Sequence, residues 1–191
     1  NYSRDVIINE VLPNPKGDDS QGEFIELKNL GTTDIDLTGW KIGDASSKRY
    51  TIKATDFTSI ILKPKEFFVL YRKVTGIALN NSGTESAKIF SPDGALVHQI
   101  EYSGAAAEDE SYSRETENYF WTSTPTPGKE NIITRKNQIP SATISAPDEE
   151  EINQTISFDG SDSTDPDGDE LIFSWNFGDG SPLMKTGNGP V

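Results

Sequence analysis

Short apolar runs broken by turn-forming residues recur along the first hundred positions, and that rhythm constrains the fold more than any other feature. VIINEVL (6 to 12) ends at Pro13, EFIELKNL (23 to 30) ends at Gly31, and DIDLTGWKI (34 to 42) alternates Ile35 and Leu37 with acids before Trp40 and Ile42. RYTI (49 to 52), SIIL (59 to 62), EFFVLY (66 to 71), SAKIF (86 to 90) and ALVHQIEY (95 to 102) continue the series. Each run has the length of a strand, and no 11-residue window carries a helical apolar stripe. The last two runs flank SPDGA, where Asp93-Gly94 supplies the backbone freedom of a tight hairpin, so antiparallel pairing is expected there. Many short strands with frequent turns predict an all-β sandwich.

The texture changes after Ile133. Residues 135 to 191 carry three basic residues against eleven acids, where the preceding part carries fourteen against twenty, so negative charge is concentrated beyond the boundary. Strands are expected there at SATISA, QTISFDG and ELIFSWNF, separated by Asp, Gly, Pro and Ser. A chain of 191 residues accommodates two small domains. The expected division is a first domain over 1-133, a linker over 134-139 and a second domain over 140-191. In YFWTSTPTPGKENI (119 to 132), Tyr119 to Thr124 reads as the last strand of the first domain. Pro125 to Gly128 reads as the turn that ends its pairing, since proline cannot donate to a ladder.

Lys and Arg total 17 against 31 Asp and Glu, a net charge of −14, and a field of that sign repels phosphate backbones and anionic headgroups. Nucleic acid and membrane surfaces are therefore expected to be poor partners, and without a run of about 18 apolar residues no membrane insertion is expected. The absence of cysteine removes disulfides and thiolate metal sites. The chain opens at Asn1 without methionine or an apolar leader, as expected of a piece cut from a longer precursor.

No catalytic signature is present: there is no G-x-S-x-G, H-E-x-x-H, P-loop or cysteine nucleophile. The single histidine, His98, lies in a strand-like run and reads as a surface residue of the sandwich. Glu23 and Glu26 could form an acid-base pair, but among so many acids the pairing is expected by chance. Asp18, Asp19 and Glu23, with Glu10 near them, read as a solvated connection. Trp40 and Trp175 read as core residues. Tyr119, Phe120 and Trp121 read as core or edge packing in preference to an exposed platform for sugar or peptide.

Two family resemblances rest on these residues. VIINEVLPNPKGDDSQGEFIELKNLGTTDIDLTGWKI with LKPKEFFVLY, and then ESYSRETENYFWTSTPTPGKEN, resembles the bacterial branch of the lamin tail domain over about residues 5 to 131. NQIPSATISA with ISFDGSDSTDPDGDELIFSWNFGDGSP resembles the first part of a PKD domain, with Asn176 in place of the commoner Asp. Together they imply an immunoglobulin-like β-sandwich followed by a truncated second immunoglobulin-like sandwich, expected to be partly disordered, completed by a neighbour, or strand-swapped in self-association through its open edge.

STDPDGDE places Asp165, Asp167 and Asp169 at alternate positions of a Gly/Pro loop, and Ca²⁺ takes several such oxygens at once. The PKD resemblance implies that this loop can share calcium with an Asn at the start of the domain, a position Asn137 fits. The alternative is a turn in which Asp side chains bond their own backbone. The two resemblances imply a non-catalytic module of a larger secreted or cell-surface bacterial protein, spacing or docking neighbouring domains and protein partners. A second implication is an accessory substrate-binding module of a secreted hydrolase such as a nuclease or phosphatase.

Overall fold

The structure, a computed structural model, describes residues 2–134, 137–166, 168–182 and 184–186. The chain divides into two compact units, Asn1–Arg135 and Lys136–Val191.

The first unit runs β1 (Val6–Leu12), the single helical turn α1 (Asp19–Gly22), β2 (Phe24–Asn29), β3 (Ile35–Asp36), β4 (Lys41–Gly43), β5 (Arg49–Thr51), β6 (Ile61–Leu62), β7 (Phe67–Tyr71), the helical turn α2 (Arg72–Thr75), β8 (Ser82–Phe90), β9 (Leu96–Ala105), β10 (Ser111–Glu115) and β11 (Asn118–Thr122). One sheet has the order β11-β10-β1-β2-β7, the other β5-β4-β8-β9, and β3 pairs with β6. Each of these pairings is antiparallel. The expected strand over 34 to 42 is split, because Gly39 turns the chain with φ +77° between β3 and β4. The expected β8–β9 hairpin forms, with Gly94 at φ +92°.

The core follows from the two-residue alternation of strands. Val6, Ile8 and Val11 of β1, Ile25 and Leu27 of β2, Leu70 of β7, Ile42 of β4, Ala87 and Ile89 of β8 and Ile100 of β9 are all buried in one cluster around Trp40. Two bulges interrupt that alternation. In β1 the register against β2 shifts between Ile8 and Glu10, which turns Glu10 away from the side occupied by Val6 and Ile8. In β9 the register against β8 shifts between its Ile89 and Phe90 partners, so that Leu96 is exposed while Val97 packs on the core.

All seven residues of β1 are buried, so the five-stranded sheet is covered on both faces. The second cover is the segment after β11. Thr126 is buried, and Pro125 and Pro127 line a shallow groove with Leu12, Phe24 and Tyr71. The proline turn therefore does more than end strand pairing: it forms a strap across the outer face of the sheet.

The hairpin β10–β11 contains a strand, SYSRE, that the apolar pattern does not announce. Its two-residue loop is Thr116-Glu117, with Thr116 held at φ +55°.

In the second unit the described elements are β12 (Phe173–Trp175) and β13 (Met184–Thr186), paired antiparallel, with isolated bridges Ser141↔Thr164 and Ser145↔Asp159. SATISA thus contributes two isolated bridges and QTISFDG one, while ELIFSWNF gives a strand over its centre. Trp175 is buried among Phe158, Phe173 and Phe177, with ring centroids 6.2 to 6.5 Å away. Gly160 permits this packing, since a Cβ there would lie 2.7 Å from the Phe173 ring. The fold as a whole is all-β, with two immunoglobulin-like modules.

Candidate functional site

The expected calcium ligands are only partly visible. Asp165 and Asp169 share one turn, in which the Asp169 amide donates to Asp165 Oδ1 at 3.3 Å and the Gly168 amide donates to the Asp165 carbonyl at 3.1 Å. Asn137 donates from Nδ2 to the carbonyl of its neighbour Gln138 at 3.3 Å. Asp167 lies outside the described residues. Among the described residues no group of three or more His, Asp or Glu side chains is placed to hold an ion. The bonds seen are those of a turn bonding its own backbone.

Four glutamates of the first unit are buried, at 0 to 2 % exposure: Glu10, Glu23, Glu26 and Glu85. Buried carboxylates require partners, and each has them. Glu10 accepts from Ser113 Oγ at 3.1 Å, from the Thr126 amide at 3.0 Å and from Thr126 Oγ1 at 3.0 Å. Glu26 accepts from Asn9 Nδ2 at 2.8 Å and from the Gly128 amide at 2.5 Å. Asn131 completes this cluster: its Oδ1 accepts from Asn9 Nδ2 at 2.8 Å, and its Nδ2 donates to the Arg114 carbonyl at 2.8 Å. The strap is therefore held by two glutamates that nothing in their sequence neighbourhood connects to it.

Glu23 takes part in a different contact, with Arg72 Nη1 at 2.9 Å and the Leu79 amide. Glu85 accepts from the amides of Ala45, Asn80 and Ser86. The expected solvated acidic connection is thus divided. Asp18 is exposed and accepts the Ser20 amide at the start of α1, whereas Glu10 and Glu23 are buried at separate sites. The bulge at Asn9 is what buries Glu10 on the outer face, because plain alternation from Val6 and Ile8 would have sent it into the core.

Burial pushes the carboxyls of Glu23 and Glu26 up to about 7. Donors from Leu79 and Arg72, and from Gly128 and Asn9, oppose that rise without cancelling it. A carboxyl poised near neutrality suits proton transfer. Here the partners of both groups are structural backbone and side-chain donors.

His98 departs from the surface reading. It is half-buried, and its Nδ1 accepts the Ile8 amide at 3.3 Å, while the Ile8 carbonyl accepts from the Tyr119 hydroxyl. β10 pairs with β1 only at Glu10 and Val11, so these two side chains serve the stretch of β1 that the neighbouring strand leaves unpaired. Burial lowers the His98 pKa, and the charge of Arg114 adds to the effect.

A cleft of about 370 Å³ with mixed chemistry opens between β9 and the β10–β11 hairpin. It is lined by Glu101, Tyr102 and Ser103 on one side and by Tyr112, Tyr119, Phe120 and Trp121 on the other. The rings brace one another. Tyr112 stacks on Tyr119 at 5.6 Å, and Trp121 lies 5.1 Å from Tyr112 and edge-on to Tyr102 at 5.4 Å. Tyr102 is anchored by donating from its hydroxyl to the Asn80 carbonyl at 3.1 Å. The edge-packing reading of Tyr119 and Trp121 agrees with this arrangement, since both pack against the core cluster.

Two antiparallel sheets around a single core, with saturated buried carboxylates and an aromatic edge, define an immunoglobulin-like module of a typically non-catalytic, protein-interacting class. The chain belongs to the lamin tail domain family: the Lamin Tail Domain model matches residues 1–104, and the PKD domain model matches residues 137–190. The matched lamin tail region stops short of β10 and β11, yet β10 pairs directly with β1, so those strands belong to the same sheet. Among curated proteins none matches in sequence. The archaellum periplasmic stator protein FlaG from Sulfolobus acidocaldarius is similar at 17% identity and a TM-score of 0.34. That likeness covers 51% of this chain and 97% of FlaG, and it carries no argument about function. Among the described residues no helix is long and apolar enough to cross a membrane.

Proposed function

We propose that the chain is a non-catalytic structural and interaction module of a larger secreted or cell-surface bacterial protein, which spaces or docks neighbouring domains. The observation that carries this reading is the direction of its polar chemistry. Glu10, Glu23, Glu26 and Glu85 are bound by the chain's own amides and side chains, while the open cleft presents aromatic rings and a strand edge. Placement outside the cell is supported by the PKD match, a domain typical of extracellular proteins, and by the net charge of −14.

The test is to replace this module in the full-length protein by a flexible Gly/Ser linker. Surface retention or partner docking is expected to fall while neighbouring domains keep their own activity on small soluble substrates. Turnover of chromogenic esters, phosphates or glycosides by the isolated 191-residue chain, abolished by Glu26→Gln, would overturn the reading. The aromatic cleft also supports an accessory substrate-binding role beside a secreted hydrolase. In that case the linker replacement raises KM for a polymeric substrate only.

Two further expectations belong to this proposal. Strand-mediated self-association of the second unit is supported by the exposed side chains of Ile139, Ile144, Ile152 and Ile172, and sedimentation across a concentration series tests it. Calcium binding by Asp165, Asp167, Asp169 and Asn137 is supported by the loop's sequence alone, and the bond Asp165 accepts from Asp169 speaks for a self-contained turn. Melts with Ca²⁺ and with EDTA distinguish them, since an ion bound only by the folded state raises the midpoint.

A further inference from the structure

We propose that the outer edge of β9 over Glu101–Ser103, with the aromatic cleft beside it, docks an extended, positively charged peptide segment as an added strand. The proposal rests on the docking role above and names its surface and the chemistry of its partner.

β9 has ten residues and lies at the edge of its sheet, paired among the described residues with β8 alone. Strand edges of that length present unpaired amides and carbonyls, and proteins usually protect them with lysine, proline or a bulge. The first half of β9 is protected in this way: it carries the bulge near Val97, and His98 is engaged with Ile8. The second half, IEYSGA, contains neither lysine nor proline. Among the described residues, no backbone bond joins Glu101, Tyr102 or Ser103 to anything except β8.

The cleft lies along this same stretch, and its far wall is β11, the edge of the other sheet. A segment paired to β9 sits about 4.8 Å from it and sends alternate side chains toward opposite faces. One set would meet Tyr112 and Trp121, which are partly exposed. These rings favour an apolar, aromatic or cationic side chain.

Charge selects the partner. Of the residues that line the cleft the charged one is Glu101, Arg114 pairs with Tyr119 in the hairpin behind it, and the whole chain carries a net −14. Glu101 itself is exposed at the rim of the cleft. An acidic segment is repelled by this surface, whereas one with lysine or arginine at its outward positions is steered to it.

The experiment titrates the full ¹⁵N-labelled chain with a synthetic nonapeptide of alternating lysine and valine bearing one central tryptophan, and with the same peptide carrying glutamate for lysine. The basic peptide is expected to shift the Glu101–Ser103 amides and the Trp121 indole, to slow amide exchange along the second half of β9, and to bind more weakly as salt is raised. Glu101→Lys, an exposed change, should slow association and flatten the salt dependence without altering the melt. Equal binding of the two peptides overturns the proposal, as do shifts confined to the β5 or β7 edges. So does an oligosaccharide that moves the Trp121 indole when the basic peptide leaves β9 exchange unchanged. If the peptide leaves the cleft untouched while the linker replacement still abolishes docking, this surface is wrong and the docking role stands.

Discussion

Glu10 in β1 accepts the backbone amide of Thr126 at 3.0 Å across 116 positions of sequence, so the first strand of the domain holds its last covering segment. The bond is buried, and the same carboxylate also serves Ser113 and the Thr126 hydroxyl. Glu10→Ala strips three buried donors of their acceptor at once. A loss of about 3 kcal/mol in urea unfolding is expected, against about 1 kcal/mol for Thr126→Val, which removes one hydroxyl and keeps the amide bond. Equal effects would show that the strap is not fastened through Glu10.

A chain ended after Asn118 keeps only the first residue of β11 and loses the strap entirely. It also loses the Tyr119 hydroxyl that donates to the Ile8 carbonyl, and with it a partner for the unpaired stretch of β1. Such a chain is expected to lose cooperative unfolding. A soluble 1 to 118 fragment with a sharp melt would place the domain boundary earlier.

Glu23 and Glu26 titrate at about 7 in the folded chain, against 4.5 for the ordinary side chain, because burial disfavours the charged form. Between those values the folded state binds more protons than the unfolded one. The contribution of these groups is therefore complete below pH 4.5, is lost as pH rises toward 7, and is level above that. Each can supply a slope of up to about 1.4 kcal/mol per pH unit in that window. Glu26→Gln should flatten the denaturant-measured profile between about pH 5 and 7; an unchanged slope would assign it to general charge repulsion.

His98 is expected to titrate below 6.5, since burial and Arg114 both disfavour its cation. As Nδ1 accepts the Ile8 amide, the neutral ring should carry its proton on Nε2. Long-range ¹H–¹⁵N spectra read the tautomer directly, and a proton on Nδ1 would rule out the bond.

Thr116 adopts φ +55°, a left-handed conformation that burdens a β-branched residue. Thr116→Asn places a residue suited to that conformation in the two-residue loop. The expected gain is about 0.5 to 1 kcal/mol, visible as a raised melting midpoint. A lowered midpoint would mean that the threonine side chain contributes more than its backbone costs.

β1 was legible because Val6 to Leu12 is an apolar run ended by proline, and the structure gives a strand with the same bounds. The β8–β9 hairpin was legible because Asp93-Gly94 names its own turn. The β10–β11 hairpin was not, since Thr116-Glu117 lacks that turn chemistry and SYSRE has only one large apolar residue. Glu10 and Glu26 were hidden for another reason. Their burial depends on a bulge at Asn9 and on a strap more than a hundred residues away, and neither leaves a local pattern in the sequence. The aromatic cleft was half legible: Tyr119 to Trp121 stood out, while Tyr112 beside them in the hairpin and Tyr102 facing them from β9 required the topology.

The strap also has a mechanical consequence. The covalent path toward the second unit runs from β11 through Thr126, Gly128 and Asn131, and Thr122 Oγ1 ties it once more by donating to the Ile132 carbonyl at 2.8 Å. Tension applied from that side would load these hydrogen bonds one after another before it reached the strands. The module would yield by peeling its outer cover first, a shock absorber in series with the sandwich.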